Sequence, residues 1–126
     1  MERTNYSSGG KWESPFGYSR AVRKGPSVFV AGTTAADPEG NAQGDAYQQT
    51  IEIFARIQGA LHSVGAELRD VVRTRIYVVN MSDSDQIGKA HGEVFSQILP
   101  AATMVEIKSL IDPTLLVEIE VDAIVG

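Results

Sequence analysis

The sequence predicts one α+β domain in which two helices cover a single face of a mixed β-sheet. Two observations predict this fold class. Short β-branched and aromatic runs alternate with two longer segments of helical periodicity, and the predicted strands keep their apolar residues mainly on one face. A chain of 126 residues is also close to the commonest domain size, so residues 1–126 are expected to form one unit.

The N-terminal residues predict an arm that leads into a hairpin. Residues 1–15 include a Ser-Ser-Gly-Gly run and are expected to be extended. Residues 17–23 alternate in polarity, and residues 28–31 form a β-branched and aromatic run. The two segments are expected to pair, because the Lys-Gly-Pro sequence between them is typical of a turn.

A first helix is predicted from Asp45 to Gly65. Asp45 can cap its N-terminus and form a capping box with Gln48, and Gly65 can adopt the left-handed conformation that ends a helix. The residues predicted to form its buried stripe are Tyr47, Ile51, Phe54, Gln58 and Leu61, with Ile57 and Val64 beside them.

A strand with two different faces is predicted over residues 71–79. Its apolar face, expected to meet the helices, consists of Val72, Thr74, Ile76 and Val78. A second helix follows from about Asp83 to Leu99, where Pro100 prevents continuation. Two strands, at residues 103–107 and 116–125, complete the predicted β-β-α-β-α-β-β order.

The sheet face turned away from the helices is unusually charged for a β-sheet. It is expected to carry Arg73, Arg75, Tyr77, Glu118, Glu120 and Asp122. An antiparallel sheet often leaves one face in water, which is one interpretation. The other is that copies of the domain pack these faces together and form clefts between subunits.

Composition excludes several classes of protein. The chain has no cysteine, which excludes disulfide scaffolds, thiolate nucleophiles and sulfur-based zinc sites and favours a reducing compartment. Its net charge of −5 would repel a phosphate backbone, so nucleic acid is not the expected partner. No apolar run of the length of a signal peptide or membrane span is present, and we expect a cytoplasmic protein.

Six segments resemble, in order and spacing, the RidA/YjgF/L-PSP family over nearly the whole chain. They are Gly17-Tyr18-Ser19-Arg20-Ala21, Val28-Phe29-Val30-Ala31-Gly32-Thr33, Gly44-Asp45, Val71-Val72-Arg73-Thr74-Arg75-Ile76-Tyr77-Val78, Pro100-Ala101-Ala102-Thr103-Met104-Val105 and Val117-Glu118-Ile119-Glu120. The resemblance implies a chorismate-mutase-like subunit in a homotrimer, with a small-molecule pocket at each subunit boundary. For members with the full set of residues it also implies hydrolysis of 2-imino acids or enamines to 2-oxo acids and ammonia.

One residue of the family's pocket is replaced in this sequence. The resemblance places an arginine two residues after the proline, where it grips the substrate carboxylate, and here that position is Ala102. A neutral methyl group cannot replace the bidentate guanidinium fork. A helical position that is commonly asparagine in the family is Gly88 here. The family's pocket tyrosine, strand-end glycine and water-positioning glutamate are retained as Tyr18, Gly32 and Glu118.

Each candidate residue has a structural alternative. Glu118 is a general base in a cleft or a surface carboxylate, and Tyr18 donates its hydroxyl to a ligand or fills a gap between subunits. Thr103 and Met104 flank the replaced arginine; the Thr103 hydroxyl could bind a neutral polar group or serve only as a strand former.

Arg75 lies on the charged face, where the family usually has an uncharged residue. We hypothesise that it supplies a cation to an anionic ligand, or to Glu118 or Glu120 across an interface, with the salt bridge favoured. His62 is expected to be exposed and His91 to be a half-buried structural residue, so neither points to a metal, and no phosphate-binding loop or other cofactor motif is present.

Two functions are consistent with these features. The first is a RidA-like hydrolase or deaminase that acts on a small imine or enamine through water held by Glu118, with little activity on standard 2-imino acids. The second is a noncatalytic trimeric protein that binds a small metabolite in the same clefts. An L-PSP-type endoribonuclease has less support, because the acidic chain has no basic groove.

Overall fold

The computed structural model describes every residue from Met1 to Gly126 and confirms the α+β fold class. The strands are Arg3–Tyr6 (β1), Ala21–Lys24 (β2), Ser27–Thr33 (β3), Val71–Val78 (β4), Ala101–Glu106 (β5) and Val117–Ile124 (β6). The helices are Glu13–Phe16 (α1), Ala46–Ser63 (α2) and Ser84–Phe95 (α3). Neither α2 nor α3 has an apolar stretch long enough to cross a membrane.

The six strands form one mixed sheet in the order β1-β2-β3-β6-β4-β5. All neighbours are antiparallel except β4 and β5, which are parallel because α3 connects them in a crossover. Helices α2 and α3 pack against each other, and α2 also contacts β3 and β6. Both long helices therefore cover one face, and the other face of the sheet is left open.

The core lies between the helices and the inward side chains of the central strands. Strand β6 contributes Val117, Ile119 and Val121, all fully buried, and α2 and α3 contribute Ile53 and Phe95. The predicted capping box of α2 is present, since Asp45 accepts from the Gln48 amide and Gln48 accepts from the Asp45 amide. Gly65 has the predicted left-handed backbone, with φ of +79°.

The predicted buried stripe of α2 is partly wrong. Phe54, Ile57 and Leu61 are buried as expected, whereas Tyr47, Ile51 and Gln58 are not. The buried face is Ala46, Gln49, Thr50, Ile53, Phe54, Ile57, Ala60 and Leu61. The polar side chain of Gln49 can lie in this buried face because its hydrogen bonds are satisfied. It donates to the carbonyls of Gly44 and Thr114 and accepts from the Leu116 amide.

Strand β4 departs from strict alternation at its start. A register shift between Val71 and Arg73 interrupts its pairing with β6. As a result Val71 is buried, and Val72, predicted to face the helices, is 44% exposed. From Arg73 onward the predicted alternation holds, with Thr74, Ile76 and Val78 buried.

The N-terminal arm and the end of the second long helix also differ from the prediction. The N-terminal arm contains a strand, β1, paired with β2, and a short helix, α1. Helix α3 ends at Phe95, four residues before the predicted end, and Leu99 takes a positive φ of 54° just before Pro100. Val94 and Ile98 still pack partly buried against the core, as their helical spacing indicated.

His91 is the half-buried structural histidine that the sequence predicts. Its Nε2 lies 2.9 Å from Oγ1 of the buried Thr74. Its ring stacks edge-on against Phe54, with centroids 5.7 Å apart, and lies 4.9 Å from Phe95. Burial lowers the pKa of His91, because it disfavours the charged imidazolium.

We therefore expect acidification to destabilise the fold through His91. The unfolded histidine takes up a proton near pH 6.5, whereas the native one does so only at lower pH. The stability that neutral His91 contributes is therefore complete above the pKa of the unfolded histidine. It is lost as the pH falls from that value toward the lower pKa of the native histidine. The loss of melting temperature between about pH 7.5 and pH 5.5 should be smaller in His91→Gln than in the wild type. The exposed His62→Gln is the control, and equal pH dependence in all three proteins would contradict this role.

Candidate functional site

A shallow cleft of about 590 Å³ lies on the open face of the sheet. Its floor is formed by β3, β4 and β6, and its wall by the segment that joins α1 to β2 together with β1. The lining includes Tyr18, Phe29, Ala31, Arg75, Glu120 and Asp122. Tyr18 and Arg75 were singled out from the sequence, and the fold brings both to this cleft.

Arg75 holds an ion-pair network along the floor of the cleft. Its Nη1 lies 3.1 Å from Oδ2 of Asp122 and 3.4 Å from Oε2 of Glu120. The Tyr77 hydroxyl donates to the other oxygen of Glu120 at 2.6 Å, and this bond raises the pKa of Tyr77. The hypothesised pairing of Arg75 with Glu120 is therefore found, but within one protomer, and Arg75 forms no ion pair with Glu118.

Glu118 and Gly32 are in contact next to the cleft, two positions from the lining residue Glu120 and one from the lining residue Ala31. The bulge in β3 brings Gly32 so close that a Cβ atom there would overlap the Glu118 carboxylate. Glu118 is half-buried, and no group of the protomer donates a hydrogen bond to its side chain. Burial raises the pKa of Glu118; the nearby Arg20 guanidinium opposes that rise, and Glu120 adds to it.

Arg20 is a residue of this site that the sequence interpretation missed. Its Nη1 donates to the Gly32 carbonyl at 2.6 Å and to Thr33 Oγ1 at 3.3 Å. Its guanidinium also lies 5.7 Å from the centre of the Tyr18 ring. The signal that could have found it is its position in the same Gly-Tyr-Ser-Arg-Ala segment as Tyr18, two residues further along.

Glu13 is the second missed residue, and it fixes the position of Arg20. Its side chain is only 3% exposed, lies 3.7 Å from Arg20 Nε and accepts hydrogen bonds from Ser7, Ser8 and Gly10. Burial alone would raise the pKa of Glu13, but the Ser8 and Ser7 hydrogen bonds and the Arg20 charge outweigh it and lower the pKa. Nothing in the sequence marks this carboxylate as buried, because its donors come from an apparently irregular arm.

The candidate residues of β5 are divided between the two faces of the sheet. Thr103 pairs with Arg75 and lies on the open face. Ala102 pairs with Thr74 on the opposite side of this exposed edge strand, and Met104 packs against the core. Within one protomer Tyr18 and Arg75 line the cleft, and Gly32 and Glu118 contact each other beside it. Thr103, Ala102 and Met104 are not among the lining residues.

The site's chemistry centres on one unpaired carboxylate. Burial raises the pKa of Glu118, so its carboxylate is a stronger proton acceptor than an exposed glutamate and can orient a water molecule. No group of three or more His, Asp or Glu side chains is placed to hold a metal ion. The arrangement is suited to acid-base chemistry on a small molecule.

Comparison with known proteins gives consistent matches. The family model described as "Endoribonuclease L-PSP" matches residues 12–125. An uncharacterized protein of Streptomyces coelicolor is 38% identical over 94% of this chain and 90% of its own length. The crystal structure of a YjgF/YER057c/UK114 family member from Mycobacterium tuberculosis superposes with a TM-score of 0.91 and 50% identity, covering 98% of this chain and 100% of that one. A 2-iminobutanoate/2-iminopropanoate deaminase of Dermatophagoides farinae is 26% identical over 74% of each chain.

We expect Gly32→Ala to destabilise the fold because the added methyl group overlaps Glu118. The overlapped atom is Oε2, the far end of a flexible side chain that can turn aside, so the loss should be only about 1 kcal/mol, measured by chemical denaturation. Gly59→Ala is the matched control: Gly59 is an exposed residue of α2 with open space around it, and the change should be neutral or stabilising by up to about 1 kcal/mol.

The cause can be isolated with a second substitution. If the Glu118 carboxylate is the obstacle, adding Glu118→Ala to Gly32→Ala should recover most of the lost stability. Additive losses in the double variant would show that the methyl group meets a different obstacle.

Proposed function

The chain belongs to the L-PSP endoribonuclease family, also known as the RidA or YjgF family, and from this premise we propose that it hydrolyses a small imine or enamine. The observation that carries the proposal is Glu118, a half-buried carboxylate without a hydrogen-bond donor, seated against a glycine that leaves room for it. We propose that this carboxylate orients and deprotonates the attacking water.

The proposed site is a cleft shared between copies of the chain in a homotrimer. The open sheet face exposes large apolar side chains, including Phe29 on β3, which is 51% exposed, and Val105 on the edge strand β5, which is 42% exposed. Apolar groups surrounded by charged ones on one face are typical of an interface. A neighbouring copy on this face would enclose Tyr18 and Glu118 and exclude bulk water from them.

The proposed reaction needs one group that both accepts and returns a proton. Glu118 takes a proton from water as the water oxygen bonds to the carbon of the protonated imine, which gives a neutral amino alcohol. The protonated Glu118 then gives its proton to the nitrogen. The carbon–nitrogen bond breaks as the carbonyl forms, and the departing ammonia takes up the hydroxyl proton. The overall change converts a protonated imine and water to a carbonyl compound and ammonium. Burial raises the pKa of Glu118, which makes its carboxylate a stronger base toward water than an exposed glutamate.

Standard 2-imino acids are not the proposed substrates. In the family pattern an arginine grips the substrate carboxylate, and this chain has Ala102 at the matching position. The mite relative is named for 2-iminobutanoate and 2-iminopropanoate. We propose that this chain has diverged from that specificity, because alanine offers the carboxylate neither a charge nor a hydrogen bond.

A noncatalytic binding protein is the second candidate function. It is favoured by the same replacement at Ala102 and by Gly88 at a further pocket position, which together remove two polar contacts of the family's site. Ribonuclease activity has the least support, because the cleft floor carries Glu120 and Asp122 where a phosphate backbone would need cations.

We expect Glu118→Gln to slow imine hydrolysis by roughly 100- to 10,000-fold, the usual contribution of general acid-base catalysis. The substrate is an imine produced in situ by an amine oxidase from a simple primary amine, and its decay is followed by trapping with semicarbazide. A parallel assay with 2-iminobutanoate, produced by an amino acid oxidase, should show little acceleration.

The matched control is Glu52→Gln, which removes one carboxylate from the exposed surface of α2, where Glu52 pairs with Arg56. It should hydrolyse the imine at the wild-type rate. If wild type and Glu118→Gln both match the buffer rate, the hydrolase proposal fails and the binding protein is favoured.

We expect the wild type to have a solution mass of three times its chain mass of 13.6 kDa by light scattering. Phe29→Glu should give monomers, because it places a carboxylate in the proposed apolar contact next to Asp122. Ile111→Glu alters a 75% exposed loop residue and should leave the assembly intact. A monomeric wild type would contradict the shared cleft.

A further inference from the structure

The distribution of charges around Glu118 indicates which class of ligand the site accepts. We propose that the site selects a small molecule with a positively charged nitrogen and no carboxylate, an iminium or alkylammonium ion whose N–H groups donate to Glu118. The inference deepens the proposed function, because it specifies the substrate class of the same cleft.

The guanidinium groups nearest the site are already paired with carboxylates of the same protomer. Arg20 lies against the buried Glu13, and Arg75 lies against both Glu120 and Asp122. Among Glu13, Glu118, Glu120 and Asp122, Glu118 is the one without a cation within ion-pairing distance. A ligand that enters this site therefore meets an unsatisfied anion.

Arg20 is poorly placed to hold a ligand carboxylate instead. Its Nη1 already donates to the Gly32 carbonyl and Thr33 Oγ1, at 2.6 and 3.3 Å, and its Nε faces Glu13. Moving the guanidinium toward a ligand would leave Glu13 ionised and buried without its counter-ion, which is strongly unfavourable. The remaining cation of the cleft, Arg3, lies on the outer strand β1 and is exposed.

The lack of a hydrogen-bond donor to Glu118 indicates the same ligand class. A half-buried carboxylate without donors gains most from a ligand that supplies charged N–H groups. The ring of Tyr18 is 40% exposed, but the Arg20 guanidinium already lies over it, 5.7 Å from its centre. A protonated imine supplies charged N–H groups to Glu118, and it is also the form of the imine that water attacks most readily.

Binding should depend on the protonation of Glu118. The charged or titratable groups around it are Arg20 before β2, Tyr77 on β4 and Glu120 on β6. The Tyr77 hydroxyl is turned to Glu120, and Arg20 is held by Glu13. Burial raises the pKa of Glu118 above that of an exposed glutamate. Affinity for a cation should increase as the pH rises through the pKa of Glu118.

Three nearly isosteric probes test the inference without any need for turnover. They are sec-butylamine, which carries only an ammonium group, 2-aminobutanoate, which carries both charges, and 2-methylbutanoate, which carries only a carboxylate. Binding to the full-length wild-type protein is measured by saturation-transfer NMR and calorimetry. We expect sec-butylamine to bind roughly 10- to 100-fold more tightly than 2-aminobutanoate, the usual range for one charge-assisted contact. 2-Methylbutanoate should not bind.

Two variants identify the residue responsible. Glu118→Gln should lose the preference for the amine, while Glu52→Gln should retain it. The affinity of the wild type for sec-butylamine should fall as the pH is lowered through the pKa of Glu118, since the alkylammonium ion itself stays charged at acidic pH. Glu118→Gln should show no such fall.

The inference is overturned if 2-methylbutanoate binds, if the amine and the amino acid bind equally well, or if the amine does not bind. Each result is independent of imine hydrolysis. If the protein hydrolyses the imine but also binds 2-methylbutanoate, the hydrolase proposal stands and only the proposed substrate class is wrong. Amine binding without catalysis would support the charge selection and favour the binding protein over the hydrolase.

Discussion

The strict alternation of strand β6 is the constraint on which both the core and the candidate site depend. β6 lies between β3 and β4, and its inward side chains, Val117, Ile119, Val121 and Ala123, are buried beneath the helices. The alternating positions between them must then face outward, which places Glu118, Glu120 and Asp122 in one row. A slip of one residue would expose the core and bury three carboxylates, so packing of the apolar residues fixes the position of the acidic ones.

The three carboxylates on β6 have different chemical environments, because the residues next to them on β3 and β4 differ. Asp122 and Glu120 share the Arg75 guanidinium, and Glu120 also accepts the Tyr77 hydroxyl. Glu118 faces the β3 bulge, where Gly32 supplies space instead of a donor. Glu120 is thus held in a structural ion pair, whereas Glu118 on the same strand is free to react. The pKa of each carboxylate depends on its local partners and its burial.

The N-terminal segment shows how a distant part of the chain contributes to this chemistry. Ser7, Ser8 and Gly10 surround the carboxylate of Glu13, which in turn holds Arg20 against the carbonyl of Gly32. Arg20 then moderates the rise in the pKa of Glu118. The segment that looks like a flexible arm in the sequence therefore forms the support beneath the site. A buried ionised carboxylate is tolerated there because each of its oxygens receives hydrogen bonds.

The sequence by itself determined the elements with strong periodicity, namely the capped helix after Asp45, the alternating strands and their charged outer face, because these depend on local spacing and on one-sided burial. The six matching segments also determined the family. Only the tertiary structure decided the rest. Val72 turns outward at a bulge, Gln49 enters the core by bonding to a loop 65 residues away, and Glu13 is buried by a folded arm. Arg75 is neutralised by two carboxylates while Glu118 stays unpaired, because pairing between strands depends on distances that no local pattern encodes.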